Sequence, residues 1–125
     1  MLRTQGAVMQ GNGAPGSIEP HFHHFIVSNR GAFALRFIVQ RFVDGHLISQ
    51  TRILGRLLAQ RSHMIDLATL HFHGRPLEVG DQVRLRIGAA GGVRRNGPLV
   101  GYAPNRETAT FEIRGTTMMY SVRQV

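Results

Sequence analysis

Short stretches in which apolar and polar residues alternate dominate the chain after residue 20. Strict alternation runs across residues 82–87, and the same period of two recurs in 33–40, 108–113 and 118–123. Residues two apart share one face of a β-strand, so this pattern predicts half-buried strands. About seven to eight such strands, separated by turns, are typical of an antiparallel sandwich or small barrel. We therefore expect an all-β fold: a single antiparallel β-sandwich, immunoglobulin-like or jelly-roll-like.

Glycine, asparagine and aspartate mark the predicted turns. Asp44-Gly45 is a two-residue hairpin signal, and residues 78–81 read as a turn. Arg41 stands where the apolar series of its strand should continue, so we expect a β-bulge or a strand end there. Residues 52–61 favour a strand end followed by a turn, with a short helix as the alternative.

The chain divides into two parts by composition. Glycine, proline and small polar residues fill residues 1–20, which predicts a flexible arm. Residues 21–125 carry the strand pattern and form the predicted β-sandwich domain. A total of 125 residues, 42% of them hydrophobic, is enough for one globular domain with a buried hydrophobic core.

Charge and missing residue types narrow the chemistry. The formal net charge is +8, all 15 cationic residues are arginine, and cysteine is absent. These counts exclude a disulfide scaffold, a cysteine-ligated zinc site and an iron–sulfur centre. A positive field favours anionic partners, namely nucleic acid or a lipid surface. We recognise neither a transmembrane segment nor a signal peptide, and expect a cytoplasmic or non-classically exported protein.

Histidine pairs suggest a metal site. On a strand, His21 and His23 share a face, and so do His71 and His73. If the two pairs meet on adjacent strands, they supply up to four nitrogen ligands for zinc, nickel or copper. The alternative is two unrelated segments with solvated imidazoles. His71-Phe72-His73 with Glu78 resembles part of the first cupin motif, but no histidine follows His73 to complete a second motif.

Four arginines are candidates for an anion-binding surface. Arg84 and Arg86 point outward from one predicted strand, and Arg94 and Arg95 lie in the following turn. Guanidinium groups bind phosphate and carboxylate in a bidentate manner. The alternative is a solvated polar sheet face.

The order of these signals resembles bacterial immunoglobulin-like sandwiches. The resemblance rests on Asn29 and Gly31 closing an apolar strand, a hairpin, the 77–81 turn before an alternating strand, and a final hairpin at 115–117. It implies a fold and no activity.

Together these observations predict a non-enzymatic binding or assembly module that uses sheet faces, loops and arginine contacts. We expect a protein partner, self-association or membership of a larger particle, and no catalytic residue is assigned. Two alternatives remain open. One is a histidine-cluster protein that binds a divalent transition metal, either as a metal-binding protein or as a metalloenzyme; the other is an anion-binding module for nucleic acid or a membrane surface.

Overall fold

The computed structural model describes residues 20–125, together with the backbone of residues 10–12 and 14–16. Residues 1–9, 13 and 17–19 of the predicted flexible arm, residues 1–20, lie outside this part, and the arm stays a prediction. The strands in chain order are β1 (Gln10–Asn12), β2 (Ala14–Gly16), β3 (His21–Phe22), β4 (His24–Asn29), β5 (Leu35–Val43), β6 (His46–Gln50), β7 (Gly55–Leu57), β8 (Ser62–Asp66), β9 (Gln82–Ala89), β10 (Arg94–Asn96), β11 (Val100–Tyr102), β12 (Thr108–Gly115) and β13 (Tyr120–Gln124).

Two sheets organise the described domain. The seven-stranded sheet runs β3-β11-β9-β5-β6, with β10 pairing beside β9 and β7 pairing beside β5. The four-stranded sheet runs β13-β12-β4-β8. β1 pairs only with β2. A single 3₁₀ turn at Leu67–Thr69 is the one helical element of the described residues, and no helix there is long and apolar enough to cross a bilayer.

The all-β prediction is confirmed, but the purely antiparallel arrangement is wrong. β12 runs parallel to β4 with Thr108 opposite His24, and β11 runs parallel to β3 with Gly101 opposite His21. Both sheets are therefore mixed. Alternation along one strand does not determine the direction of its neighbour, because the period of two is the same in both arrangements.

The inner faces of both sheets contribute to one hydrophobic cluster. Phe25 of β4 and Phe111 of β12 meet edge to face, with ring centroids 4.8 Å apart. Phe37 and Leu85 bring the seven-stranded sheet into the same cluster. Along β9, buried and partly exposed positions alternate without a break, as the sequence predicts. The outward residues of β9 are therefore left to form a surface.

Most predicted turns are present. Asp44 and Gly45 both have positive φ values, 50° and 77°, as the two-residue hairpin between β5 and β6 requires. The pairing register shifts between Arg41 and Phe42, which confirms the bulge. Residues 52–61 contain the short strand β7 and a turn, so the helical alternative is wrong.

Candidate functional site

Arginines are placed side by side across the outer face of the seven-stranded sheet. Arg36 of β5 lies opposite Arg56 of β7 on one side and opposite Gly88 of β9 on the other. Gly88 in turn lies opposite Arg94 of β10. Four neighbouring strands thus carry a row of three arginines and one glycine, which we call the arginine row. Like charges placed directly opposite on adjacent strands destabilise a sheet, so the row carries an electrostatic cost.

A surface cavity of about 390 Å³ opens over Arg36, Gly88 and Arg94 of this row. Arg36, Arg52, Arg86 and Arg94 line it, and Ile53 contributes an apolar wall. A side chain at Gly88 would meet no neighbouring atom within 4 Å, so the glycine leaves open space in the middle of the row. The cavity falls within the size range of small-molecule sites.

None of the cavity's four arginines is neutralised by a carboxylate within residues 20–125. The arginine ion pairs of that part of the chain are Arg41–Asp81 and Arg114–Glu112, and both involve other arginines. In addition, the buried Nε atom of Arg86 has no hydrogen-bond partner. A buried donor without an acceptor costs about 1–3 kcal/mol. The cavity therefore offers an anion positive charge that no carboxylate of residues 20–125 neutralises.

The four arginines predicted from sequence divide into two pairs. Arg86 and Arg94 line the cavity. Arg84 instead donates from Nε and Nη2 to Gln40 Oε1, at 3.0 and 2.8 Å, and its guanidinium lies 4.7 Å from the ring centre of Phe42. Burial, and secondly the charge of Arg86, lowers the pKa of Arg84 from its ordinary value. Arg95 lies over the ring of Tyr120.

Sequence reasoning missed Arg36 and Arg52 because their contribution depends on strand pairing. Arg36 occupies an outward position in an alternating strand, which is the available sequence signal. The pairing of β5 with β9 brings it beside Gly88, about fifty positions later in the chain. Arg52 reaches the cavity from the segment between β6 and β7.

The predicted histidine pair His21 and His23 is separated by a bend. His21 belongs to β3 and the seven-stranded sheet, and its ring covers Gly101, where any side chain would collide with it. His23 lies in the bend between β3 and β4, and the chain enters the four-stranded sheet at His24. The bend breaks the alternation that the prediction assumed, so the His23 ring stacks on His24, with centroids 4.2 Å apart.

His23 and His24 share the carboxylate of Asp66 at the end of β8. Oδ1 of Asp66 lies 3.4 Å from Nε2 of His23 and 4.0 Å from Nε2 of His24. Possible ligand atoms of the three residues all lie within 4.8 Å of one another. His71 and His73 are exposed and belong to no such group within the described residues. The four-histidine set thus stays a prediction, and the group that the fold assembles has a different membership.

No family model matches the sequence, and no curated protein matches it. Among solved structures, the chain is similar to the membrane-binding domain of pneumolysin, with 19% identity, a TM-score of 0.43, and coverage of 82% of this chain and 94% of that one. It is also similar to a Gram-negative toxin, with 14% identity, a TM-score of 0.48, and coverage of 85% and 23%. A non-hemolytic pneumolysin from Streptococcus pneumoniae matches with 18% identity, a TM-score of 0.44, and coverage of 82% and 23%.

These matches correct the expected resemblance to bacterial immunoglobulin-like sandwiches, which is wrong. The similar structures are toxin β-domains, and the parallel pairs in both sheets depart from the antiparallel arrangement that the resemblance implied. The chain spans about a quarter of the length of the Gram-negative toxin and of the pneumolysin from Streptococcus pneumoniae. Their TM-scores are all below 0.5, so these likenesses assign no function to the chain.

Proposed function

We propose that this chain is a non-enzymatic binding module that attaches to anionic lipid surfaces through the cavity over the arginine row. One observation carries the proposal: four arginines converge on a single cavity, and no carboxylate of residues 20–125 pairs with them. Each guanidinium presents a planar fork of donors that matches phosphate or carboxylate oxygens. An anionic headgroup offsets the repulsion within the row.

Arg86 adds directional contacts to the site. It is partly exposed and lines the cavity, and because its Nε is buried, its terminal amino groups are the donors that a headgroup oxygen can reach. Such a charge-assisted bond is stronger than one between neutral groups. Arg86 therefore lines the site together with Arg36, Arg52 and Arg94.

A lipid surface is favoured over nucleic acid by the apolar residues beside the cavity. Ile53 lines the cavity, and Leu47, Ile48 and Leu58 lie in β6 or directly after β7, at the edge of the same sheet; all four are exposed by 50–60%. Exposed aliphatic side chains next to cationic ones suit the boundary between headgroups and acyl chains. Single-stranded nucleic acid binding relies on exposed aromatic rings, and no Phe or Tyr of residues 20–125 is exposed.

Vesicle co-sedimentation tests the proposal. Wild-type protein is mixed with vesicles of phosphatidylcholine alone, or with added phosphatidylserine, over a range of salt concentrations. We expect binding only to the anionic vesicles, weakening as salt rises because exposed charges are screened. The variant Arg36→Gln/Arg86→Gln removes two cavity charges, each contributing about 1 kcal/mol near an anionic surface. The combined loss is about 30-fold in affinity.

The matched control removes the same charge from the other sheet. Arg114 and Arg123 lie on β12 and β13 of the four-stranded sheet, and Arg114→Gln/Arg123→Gln should change binding much less. Equal weakening in both double variants would show that net charge alone attracts the protein and would overturn the assigned site. Salt-sensitive binding to single-stranded RNA, lost in Arg36→Gln/Arg86→Gln while anionic vesicles stay unbound, would overturn the lipid assignment.

A further inference from the structure

We infer that His23, His24 and Asp66 form a binding site for a divalent transition metal of the zinc class, independent of the arginine row. The three residues lie where β3, β4 and β8 meet, at one end of the four-stranded sheet. Two imidazoles and one carboxylate are a ligand set suited to zinc and to neighbouring first-row metals.

Backbone pairing holds the three residues in place before any ion binds. His24 lies directly opposite Asp66 in the antiparallel pairing of β4 with β8. One residue earlier, the carbonyl of His23 accepts from the N–H of Leu67 at 3.0 Å, and the N–H groups of His23 and His24 both donate to the carbonyl of Glu107. The side chains therefore stay close together through strand pairing and do not depend on a flexible loop.

The separations between ligand atoms suit a tetrahedral ion. With metal–ligand bonds of about 2.0–2.1 Å, two ligand atoms lie about 3.3 Å apart. Nε2 of His23 is 3.4 Å from Asp66 Oδ1, and Nε2 of His24 is 4.0 Å from the same oxygen. The first distance already fits. The second is longer, and the stacked rings of His23 and His24, inclined by only 22°, must rotate apart for both nitrogens to point at one ion. A water molecule fills the remaining position, as in other three-ligand zinc sites.

Hydrogen bonding does not explain the position of the His23 ring. Its Nδ1 is buried and has no partner, and its Nε2 faces Asp66 beyond ordinary hydrogen-bond length. A buried imidazole normally has at least one partner for its polar atoms. Coordination by an ion supplies a partner at Nε2, although Nδ1 stays without one, and the partly exposed side chain of Asp66 leaves a route for the ion from solvent.

Isothermal titration of the full chain with zinc chloride tests the site. Wild-type protein should bind one equivalent, and His24→Ala should weaken binding at least tenfold because one of three ligands is lost. Asp66→Asn should do the same while keeping an acceptor for the N–H of Ala68, which Asp66 now caps at 3.0 Å. Zinc should raise the Tm of the wild type more than that of His24→Ala at the same zinc concentration, since an ion that binds only the folded state stabilises it in proportion to its affinity.

The matched control is His71→Ala/His73→Ala, in the exposed turn that contributes nothing to this group. It should bind zinc like the wild type. Loss of binding in this control, with binding retained in His24→Ala, would overturn the inference in favour of the four-histidine set. Absence of zinc binding by the wild type would overturn it outright. The vesicle assay tests the arginine cavity on the seven-stranded sheet, so either proposal can be refuted without affecting the other.

Discussion

Asn29→Ala should strongly destabilise the described core. Asn29 is fully buried at the end of β4. Its Nδ2 donates to the carbonyls of Phe33 at 2.7 Å and Leu57 at 3.1 Å, and its Oδ1 accepts from the N–H of Gly31 at 2.9 Å. One side chain thereby joins the end of β4 to the loop before β5 and to the end of β7.

The expected magnitude follows from these three bonds. Each contributes about 1 kcal/mol net, and truncation leaves buried backbone groups without partners, so the free energy of unfolding should fall by about 3 kcal/mol. For a domain of this size, a loss of 1 kcal/mol lowers the Tm by about 4 °C. Asn29→Ala should therefore lower the Tm by about 12 °C, measured by circular dichroism and checked by urea denaturation.

Asn105→Ala is the matched control, since it deletes the same atoms at the surface. Asn105 donates to the carbonyl of His21 at 3.0 Å and accepts from the N–H of Glu107 at 2.9 Å, but it is exposed. Water replaces these bonds, so the loss should stay below about 1 kcal/mol. If Asn29→Ala lowered the Tm no more than Asn105→Ala, burial would not govern the strength of these bonds, and the reasoning would be refuted.

Two further predictions concern the stability contributed by the buried polar groups of Asp81 and Tyr120. Asp81→Ala should lower the free energy of unfolding by about 3 kcal/mol, measured by urea denaturation, because it leaves Arg41 without its ion-pair partner. The Nε of Arg41 lies 2.9 Å from the nearly buried carboxylate of Asp81. A loss no larger than that caused by Glu112→Ala, at an exposed ion pair, would contradict this. Tyr120→Phe should lower the free energy of unfolding by about 1–2 kcal/mol in the same assay, because the Tyr120 hydroxyl donates toward the carbonyls of Val93 and Ile87 at 2.8 and 3.2 Å. An unchanged urea midpoint would contradict this prediction.

The sequence predicts local features of this fold well. The alternation in β9, the Asp44-Gly45 hairpin and the bulge at Arg41 all depend on residues close together in the chain. Strand partners depend on distant residues. The parallel pairing of residues 24–29 with 108–113 leaves no local trace, and an antiparallel arrangement was therefore predicted in its place.

Prediction of the candidate sites is limited in the same way, because they also depend on contacts between residues distant in the chain. Arg86 and Arg94 are close in sequence, and both line the cavity, but Arg36 joins them only through strand pairing. The histidine prediction relied on strand periodicity across His23, where the chain bends as it changes sheet. The imidazoles of the adjacent residues His23 and His24 therefore lie together, and those of His21 and His23 do not form the predicted pair. Periodicity locates surface residues, and it fails at the bends where strands change sheets.

The distribution of carboxylates gives the arginine row its significance. On the four-stranded sheet, Glu112 pairs with Arg114 at 3.1 Å, which is the ordinary mixture of charges on a solvated surface. The outer face of the seven-stranded sheet places Arg36 opposite Arg56 instead, and no carboxylate of residues 20–125 forms an ion pair with either. A face that served only solubility would gain stability from interleaved opposite charges. The unfavourable arrangement is explained if an external anion supplies the missing charge, which is the condition that the vesicle experiment tests.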